Sequence, residues 1–264
     1  MQPIDTSGRV VEVVPHPLPY FSLVLEGPPA WRETQAGQFV MIETSAGLEP
    51  YLRRAFSVHD VSKTDRGARI ELLAKIVGPG TREMAHKRAG DTMKVLGPLG
   101  KPYGAAEARP SALVAGGVGS APLLLLGRRL LAEGKRFDFF YGGRSAIDLA
   151  RSAAFAELAR ESGGEFIATT EDGSAGERGL VTAPLAERLR QSAYGKIFSC
   201  GPMGLLKRLA EMSAEHSVPG EAALETEMGC GYGACLGCAV ELVDGKIALC
   251  CKDGPVFACE TVKW

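Results

Sequence analysis

The sequence predicts a mixed β and α/β chain in three units: an antiparallel β-barrel over residues 1–103, a parallel-sheet α/β domain over 104–220, and a small C-terminal module built on a β-hairpin over 221–264. Three observations carry this. Short β-rich segments separated by turn residues fill the first third. Strands alternate with amphipathic helices after a glycine-rich turn in the middle. Cysteines spaced as metal ligands crowd the end, with an Asp-Gly hairpin signal behind them.

In the first third, Val10–Val14, Tyr20–Leu25, Gln38–Glu43, Ala55–His59, Ile70–Ile76 and Met93–Leu96 read as six strands, the number and spacing of an antiparallel barrel. A short helical stretch lies near Arg82 to Lys87. Two places look chemical. Arg53-Arg54-Ala55-Phe56-Ser57 opens a strand, where a guanidinium pairs with phosphate in a two-pronged contact and a hydroxyl bonds a polar ring edge. Gly78-Pro79-Gly80-Thr81 leads into the helical stretch and offers free N–H groups to a second phosphate oxygen. Taken singly, an edge arginine pair and a simple turn remain the bland alternatives.

In the middle third, the buried run Ser111–Ala115 stops at Gly116-Gly117-Val118-Gly119-Ser120-Ala121-Pro122 and gives way to a helix from Leu123 to Leu131. Strand, glycine turn and helix start form a phosphate cradle, and Pro122 is tolerated because first-turn N–H groups have no intrahelical partner. The motif lacks the six-position dinucleotide fingerprint, so a tight turn without ligand is the competing reading. Three further strand–helix pairs follow: Phe137–Tyr141 with Leu149–Arg160, Phe166–Thr170 with Val181–Gln191, and Lys196–Ser199 with Met203–Ala214. A parallel sheet binds its ligand beyond the carboxyl ends of its strands, where the glycine turn, Gly142-Gly143-Arg144, Glu171-Asp172-Gly173 and Cys200-Gly201-Pro202-Met203 are expected to converge. Cys200 there is either a small polarizable group against a flat ring or a core thiol.

The C-terminal module holds Cys230, Cys235 and Cys238, then Cys250 and Cys251. Four thiolates in the plant-type ferredoxin spacing hold a [2Fe-2S] cluster, whereas a zinc ribbon uses paired Cys-x-x-Cys units. A two-residue turn at Asp244-Gly245 pairs Val243 with Lys246 and, counting outward, Cys238 with Cys251. It also puts Val240, Leu242, Ile247 and Leu249 on the cysteine face, and Cys250 opposite Ala239. The expected ligands are therefore Cys230, Cys235, Cys238 and Cys251. A zinc knuckle or a set of buried free thiols is the rival, and visible absorbance separates either from the cluster.

Thirty basic and 31 acidic residues leave a net charge of −1, which gives no reason to expect nucleic acid. No apolar run reaches spanning length and the N-terminus carries no leader pattern, so a cytoplasmic protein with reduced cysteines is expected. No acid/base pair or activated nucleophile stands out.

The order of these parts resembles the ferredoxin-NADP reductase superfamily. Arg54-x-Phe56-Ser57 is similar to its flavin motif, Gly116-Gly117-x-Gly119-x-x-Pro122 to its nicotinamide-nucleotide motif, and Cys200-Gly201-Pro202 to its nicotinamide-side motif. The end, Glu225-x-x-Met228-x-Cys230 through Cys238 and then Cys251-x-Asp253-Gly254-Pro255-Val256-Phe257, resembles the electron-transfer subunits of type B dihydroorotate dehydrogenases. The resemblance implies an FAD barrel with Arg54, Ala55, Phe56 and Ser57 at the flavin, Ser57 near its N5, and Gly80 and Thr81 on its phosphate. It implies NAD(H) at Gly116, Gly117, Gly119 and Pro122, with Cys200 beside the nicotinamide. It also implies docking on an FMN-containing dihydroorotate dehydrogenase catalytic subunit, in a heterotetramer of two of each. Ala55 departs from the proline common at that place. Relatives serving NADPH:ferredoxin oxidoreductases carry Asp at the first cluster ligand, where this chain has Cys230. An NADPH-linked subunit of a bifurcating or sulfur-reducing complex, and a redox-sensing regulator, are the rival readings.

Overall fold

A computed structural model describes residues 3–45, 47 and 49–264. Seven strands form the first sheet: β1 (Ile4–Pro15), β2 (Tyr20–Gly27), β3 (Phe39–Ile42), β4 (Arg54–Ser57), β5 (Asp60–Lys63), β6 (Ala68–Lys75) and β7 (Thr92–Leu99). They run antiparallel in the order β4-β3-β7-β1-β2-β6-β5. The two ends meet through Val58 and His59. The Val58 N–H bonds the Gln38 carbonyl on the β3 side and the His59 N–H bonds the Glu71 carbonyl on β6, so one continuous segment changes partners and curls the sheet into a barrel. The expected six strands omitted β5, whose Asp60, Ser62 and Lys63 give it little apolar character. β1 also begins earlier than Val10, because Ile4–Arg9 pairs with β7 through polar, solvent-facing residues. Val10, Leu23, Leu25, Trp31, Val40, Ile42, Ile70 and Leu72 fill the interior. Helix α1 (Pro79–Ala85) covers one end.

The second sheet carries β8 (Ser111–Gly116), β9 (Phe137–Gly143), β10 (Phe166–Thr170), β11 (Glu177–Arg178), β12 (Lys196–Cys200) and β13 (Gly220–Ala223), all parallel. Its crossovers include α2 (Ala121–Ala132), α3 (Ser152–Glu161), α4 (Thr182–Arg190) and α5 (Met203–His216). Leu123, Leu126 and Phe155 bury one face of the sheet, and Leu185, Leu189, Leu209 and Met212 the other. The order β11-β10-β9-β8-β12-β13 reverses direction between β8 and β12, which opens the ligand crevice at the carboxyl ends, Gly116 and Cys200.

The C-terminal hairpin, β14 (Ala239–Glu241) and β15 (Ile247–Leu249), has a register different from the one expected. Ala239 pairs with Leu249 and Glu241 with Ile247, so Cys238 lies opposite Cys250 rather than Cys251. The turn is longer because the Leu242 N–H bonds the Lys246 carbonyl, the Asp244 carboxylate accepts the Lys246 N–H at 3.1 Å, and the Val243 N–H bonds the Thr261 carbonyl. Ile247 consequently points to solvent, 62 % exposed, and Ala248 takes the buried side. Helix α6 (Cys250–Asp253) follows, and β16 (Val256–Ala258) then adds antiparallel to β13. Phe39, Met41 and Leu99 from the barrel, Leu206 from α5 and Cys238, Cys250, Cys251 and Cys259 of this module share one core.

Barrel and nucleotide domain meet through ion pairs, Asp60 with Arg128 at 3.0 Å and Glu71 with Arg151. They also meet through His59, whose Nδ1–H donates to the Ala121 carbonyl at 2.7 Å. Burial holds the His59 pKa down to about 4, and its Nε2 has no partner to receive a proton's charge. The unfolded chain takes up a proton near pH 6.5 that the folded chain refuses until about 4. Stability is therefore complete above that window and falls as pH drops through it, by about 3 kcal/mol. Urea midpoints measured from pH 7 to 4 are expected to fall accordingly, and His59→Gln is expected to flatten the profile. An equal slope in the variant would assign the acid sensitivity elsewhere.

Candidate functional site

The sequence motifs of the barrel converge on one cleft of about 590 Å³, a size suited to a cofactor. Arg54, Ala55, Phe56 and Ser57 line it from β4, and Gly78, Pro79, Gly80 and Thr81 from the start of α1. The two arginines have separate fates. Arg53 pairs with Asp5 at 3.0 Å, leaving Arg54 at the cleft. The Thr81 hydroxyl accepts the Val77 and Gly78 N–H groups at 2.9 and 3.2 Å, which shapes the turn that presents Gly80. A cation beside a glycine turn, with Phe39, Phe56, Leu73 and Val118 among the apolar groups of the wall, fits a ligand with a flat ring system and a diphosphate.

A second cleft of about 660 Å³ opens at the reversal of the parallel sheet. Gly116, Gly117 and Gly119 line it, as do Gly142, Gly143, Arg144, Glu171, Gly201 and Pro202, so the four expected turns do converge. The close approach depends on Gly119, where an added Cβ would lie 2.5 Å from the Cys200 carbonyl oxygen. Pro122 sits buried in the first turn of α2 and is not part of the wall. Cys200 is 1 % exposed and packs in the sheet core with Phe198 and Ala223, so Gly201 and Pro202 face the cleft in its place. Burial pushes its thiol well above the ordinary range.

The two clefts share Lys75, Val118 and Glu225. Lys75 on β6 reaches Asp148 at 3.1 Å, and the Tyr20 hydroxyl donates to the same carboxylate oxygen at 2.7 Å, tying barrel to nucleotide domain at the shared wall. Glu225 keeps part of its side chain open to both clefts, while burial raises the pKa of its carboxyl. None of Lys75, Tyr20, Asp148 or Glu225 stands out in sequence as a wall residue. Each lies outside a glycine motif, and only the packing of one domain on the other brings them together.

The thiol loop lies against the barrel. At Gly231, with φ +82°, an added Cβ would meet Met41 Cγ at 2.5 Å, so only glycine lets the loop seat there. Cys238 Sγ and Cys251 Sγ are 3.2 Å apart, and the Cys251 N–H points at Cys238 Sγ at 3.4 Å. Cys251 reaches this place although the hairpin register does not, because α6 starts at Cys250 and turns the next side chain back. Cys250 points away, its Sγ 3.5 Å from the Leu224 carbonyl. Around Cys230 the Ala234 and Cys235 N–H groups aim at Sγ at 3.3 and 3.5 Å. Slight burial would raise the Cys230 thiol, but N–H groups of Cys235, Tyr232 and Ala234 outweigh it and hold the pKa down to about 6. Burial and the neighbouring Cys238 push Cys251 up to about 12.

Among the described residues no three His, Cys, Asp or Glu side chains converge as they would around one ion. The arrangement is instead two pairs, Cys230 with Cys235 and Cys238 with Cys251. A dinuclear cluster takes two thiolates per iron and N–H groups directed at its sulfurs, so this donor set fits it better than a single zinc.

Comparisons with known proteins agree. Residues 225–263 match the iron-sulfur cluster binding domain of dihydroorotate dehydrogenase B, and 113–211 the oxidoreductase NAD-binding domain. A structure described as an NADH-dependent reduced ferredoxin-NADP oxidoreductase is 30 % identical, with a TM-score of 0.84 over 97 % of this chain and 90 % of its own. The FAD/NAD-binding domain of a nitric oxide dioxygenase from Vibrio cholerae, 22 % identical, has the same fold over 80 % of this chain and 93 % of its own (TM-score 0.69). The dihydroorotate dehydrogenase B (NAD(+)) electron transfer subunit of Desulforamulus reducens is 33 % identical over 92 % of both chains. The Aquifex aeolicus homolog of that subunit is 36 % identical over 88 % of this chain and 87 % of its own. With relatives of 33 and 36 % identity along nearly their whole length and the cluster-binding family matched at the C-terminus, the chain belongs to the electron transfer subunits of dihydroorotate dehydrogenase B.

Proposed function

We propose that the chain conducts electrons from the FMN of a dihydroorotate dehydrogenase catalytic subunit to NAD+, in pyrimidine synthesis. The observation that carries this is the continuity of the three sites: the thiol loop seats on Met41 of β3, Phe39 of the same strand lines the flavin cleft, and Lys75 and Glu225 line both the flavin and nucleotide clefts. When bound, a [2Fe-2S] cluster would supply single-electron transfer and FAD would link it to the two-electron chemistry of nicotinamide.

The residues divide the work. Cys230, Cys235, Cys238 and Cys251 would hold the cluster, Cys235 being the exposed one of the four. Arg54 and the amides of Gly80 and Thr81 hold the FAD diphosphate, with Ala55 and Phe56 along the flavin. Ser57, half-buried on the cleft wall, bonds the reactive edge of the ring. Gly116, Gly117 and Gly119 receive the NAD diphosphate. Pro122 sets the start of α2, and Cys200 supports the nicotinamide floor from behind through Gly201. The units 1–103, 104–220 and 221–264 thus each carry one cofactor. Two copies joined to two catalytic subunits make a heterotetramer. No helix among the described residues is long and apolar enough to cross a membrane, which suits a cytoplasmic assembly.

Mixing the purified chain with an FMN-containing dihydroorotate dehydrogenase catalytic subunit tests the reading: dihydroorotate-dependent formation of NADH is expected, and its absence with both proteins fully loaded would refute it. The likeness to the NADH-dependent reduced ferredoxin-NADP oxidoreductase favours one second reading, a subunit of a bifurcating complex. Under that reading reduced ferredoxin, not dihydroorotate, drives the reaction. Within either reading, Ser57→Ala is expected to slow flavin reduction by NADH about tenfold, the value of one hydrogen bond strengthened in the transition state. Cluster iron stays unchanged. Stopped-flow bleaching of the flavin band measures it, and a wild-type rate would remove Ser57 from the chemistry.

A further inference from the structure

The flavin cleft has one wall that belongs to none of its sequence motifs. Leu224 to Met228 line it, and they join the end of β13 at Ala223 to the cysteine loop that starts at Cys230. The Leu224 N–H bonds the Pro255 carbonyl at 2.9 Å, which ties the start of this segment to the chain just before β16. Burial alternates along it: Leu224 is buried, Thr226 and Met228 are half-buried, and Glu225 and Glu227 are exposed. The segment therefore turns its less polar side inward.

Phe39, Leu224 and Met228 line the cleft and also pack in the core that holds Cys238, Cys250 and Cys251. Each stands close to the cysteines by its own route. The Leu224 carbonyl is 3.5 Å from Cys250 Sγ, and Cys250 precedes Cys251 in the chain. Met228 is separated from Cys230 by Gly229 alone. Phe39 shares its face of β3 with Met41, the side chain on which Gly231 seats. One apolar cluster thus spans the distance from the cleft wall to the thiols.

Such a layer matters to an electron more than to a ligand. An electron passing between two centres tunnels through the atoms that separate them, and the rate falls faster across empty space than across packed atoms. Protein interiors leave few voids, and the lining of a void loses its contacts outright. Leu224 is held by its backbone bond to Pro255 and Phe39 by the ladder of β3. Met228 lies in a stretch without regular secondary structure and closes the layer with its side chain. An unbranched, polarizable thioether suits that place, because it fills irregular space between two sites.

Accordingly, resting on the assignment of the cleft to FAD and of the thiol loop to the cluster, we infer that Met228, with Phe39 and Leu224, forms the bridge for electrons between the two, and that the packing of Met228 sets the rate of crossing. Each crossing oxidises the reduced cluster by one electron and adds that electron to the flavin. Two crossings and one proton from water give the reduced flavin, which passes both electrons and a proton to NAD+ as hydride.

Flash photoreduction of the cofactor-loaded chain tests this without pyridine nucleotide. A deazaflavin dye delivers one electron to the cluster, and recovery of the cluster's visible band, matched by loss of the oxidised flavin band, times the crossing. Met228→Leu, close in volume, is expected to stay within about twofold of the wild-type rate. Met228→Val and then Met228→Ala are expected to slow it progressively, the last by about tenfold. Iron, sulfide and flavin per chain, the midpoint potential of the cluster and the electron paramagnetic resonance spectrum of its reduced form are expected to match the wild type, which a residue that merely holds the fold would not ensure. Leu96→Ala, which trims the same core from β7 away from the cleft, is expected to leave the rate as it is. A wild-type rate in fully loaded Met228→Ala overturns the inference, and so does equal slowing in Leu96→Ala. If Met228→Ala will not load, Met228→Val decides by the same readings, and loss of iron or flavin in both makes Met228 a cofactor holder and overturns the bridge. A wild-type chain that takes up no flavin or no iron refutes the assignments beneath the inference, a result distinct from all of these.

Discussion

Replacing Cys251 with Ser is expected to strip the cluster while leaving the flavin in place, whereas Cys250→Ser, one residue away, keeps it. Cys251 Sγ stands 3.2 Å from Cys238 Sγ, and a hydroxyl there is a poor iron ligand. Loss of outer-shell contacts alone lowers metal affinity by roughly 10–100-fold, so loss of a ligand is expected to do at least that. Electron transfer from the partner's side should fall by about a hundredfold or more. Reduction of the flavin by NADH, measured with a dye that takes electrons from flavin directly, should persist. Cys250 behaves differently because its thiol faces the Leu224 carbonyl in the core, with burial pushing its pKa up to about 11. Serine there still reaches a carbonyl, so the expected cost is about 1 kcal/mol of stability and no loss of iron. Iron and acid-labile sulfide per flavin decide the matter, and equal iron loss in the two variants would reject the ligand set.

The second large effect is expected at Gly119→Ala. Its Cβ would lie 2.5 Å from the Cys200 oxygen and 2.6 Å from Gly201 Cα, both backbone atoms of the facing strand end. Neither can swing aside as a side chain would. The glycine turn must therefore move away from β12, widening the crevice proposed to seat the nucleotide's diphosphate. Overpacking of this kind costs about 1–3 kcal/mol. If most of it appears as lost preorganisation, NADH binding weakens by at least about tenfold. Cluster and flavin contents serve as internal controls, since neither site touches Gly119. An unchanged KM for NADH with wild-type flavin reduction would show that the turn is not the diphosphate seat.

Local chemistry made much of this legible before any coordinates. The glycine turn, the Arg54–Ser57 segment and Gly78–Thr81 each carry their signal in a few adjacent residues, and the parallel ladder follows from strand–helix alternation. What escaped depends on distance in sequence. β5 was invisible because an edge strand with Asp, Ser and Lys has no apolar alternation. The hairpin register slipped because the C-terminal tail, 18 and 22 residues on at Thr261 and Lys263, captures Val243 and Glu241 by backbone bonds. Cys251 was nevertheless the right neighbour for Cys238 for a different reason, a helical turn at Cys250. Lys75, Asp148 and Glu225 became site residues only once the barrel and the parallel sheet were docked.

The return of β16 to the edge of the parallel sheet bears on how such a chain can be taken apart. Its pairing with β13, and the bond from the Lys101 N–H to the Gly254 carbonyl, make the last forty or so residues a structural seam between the two larger bodies. Cutting them off would bare a strand margin and the apolar side chains of Phe39, Met41 and Leu99, surfaces prone to self-association. The iron-carrying segment is therefore not a detachable ferredoxin that can be traded between reductases as a cassette, and loss of the segment would be felt first as insolubility and only second as lost electron traffic.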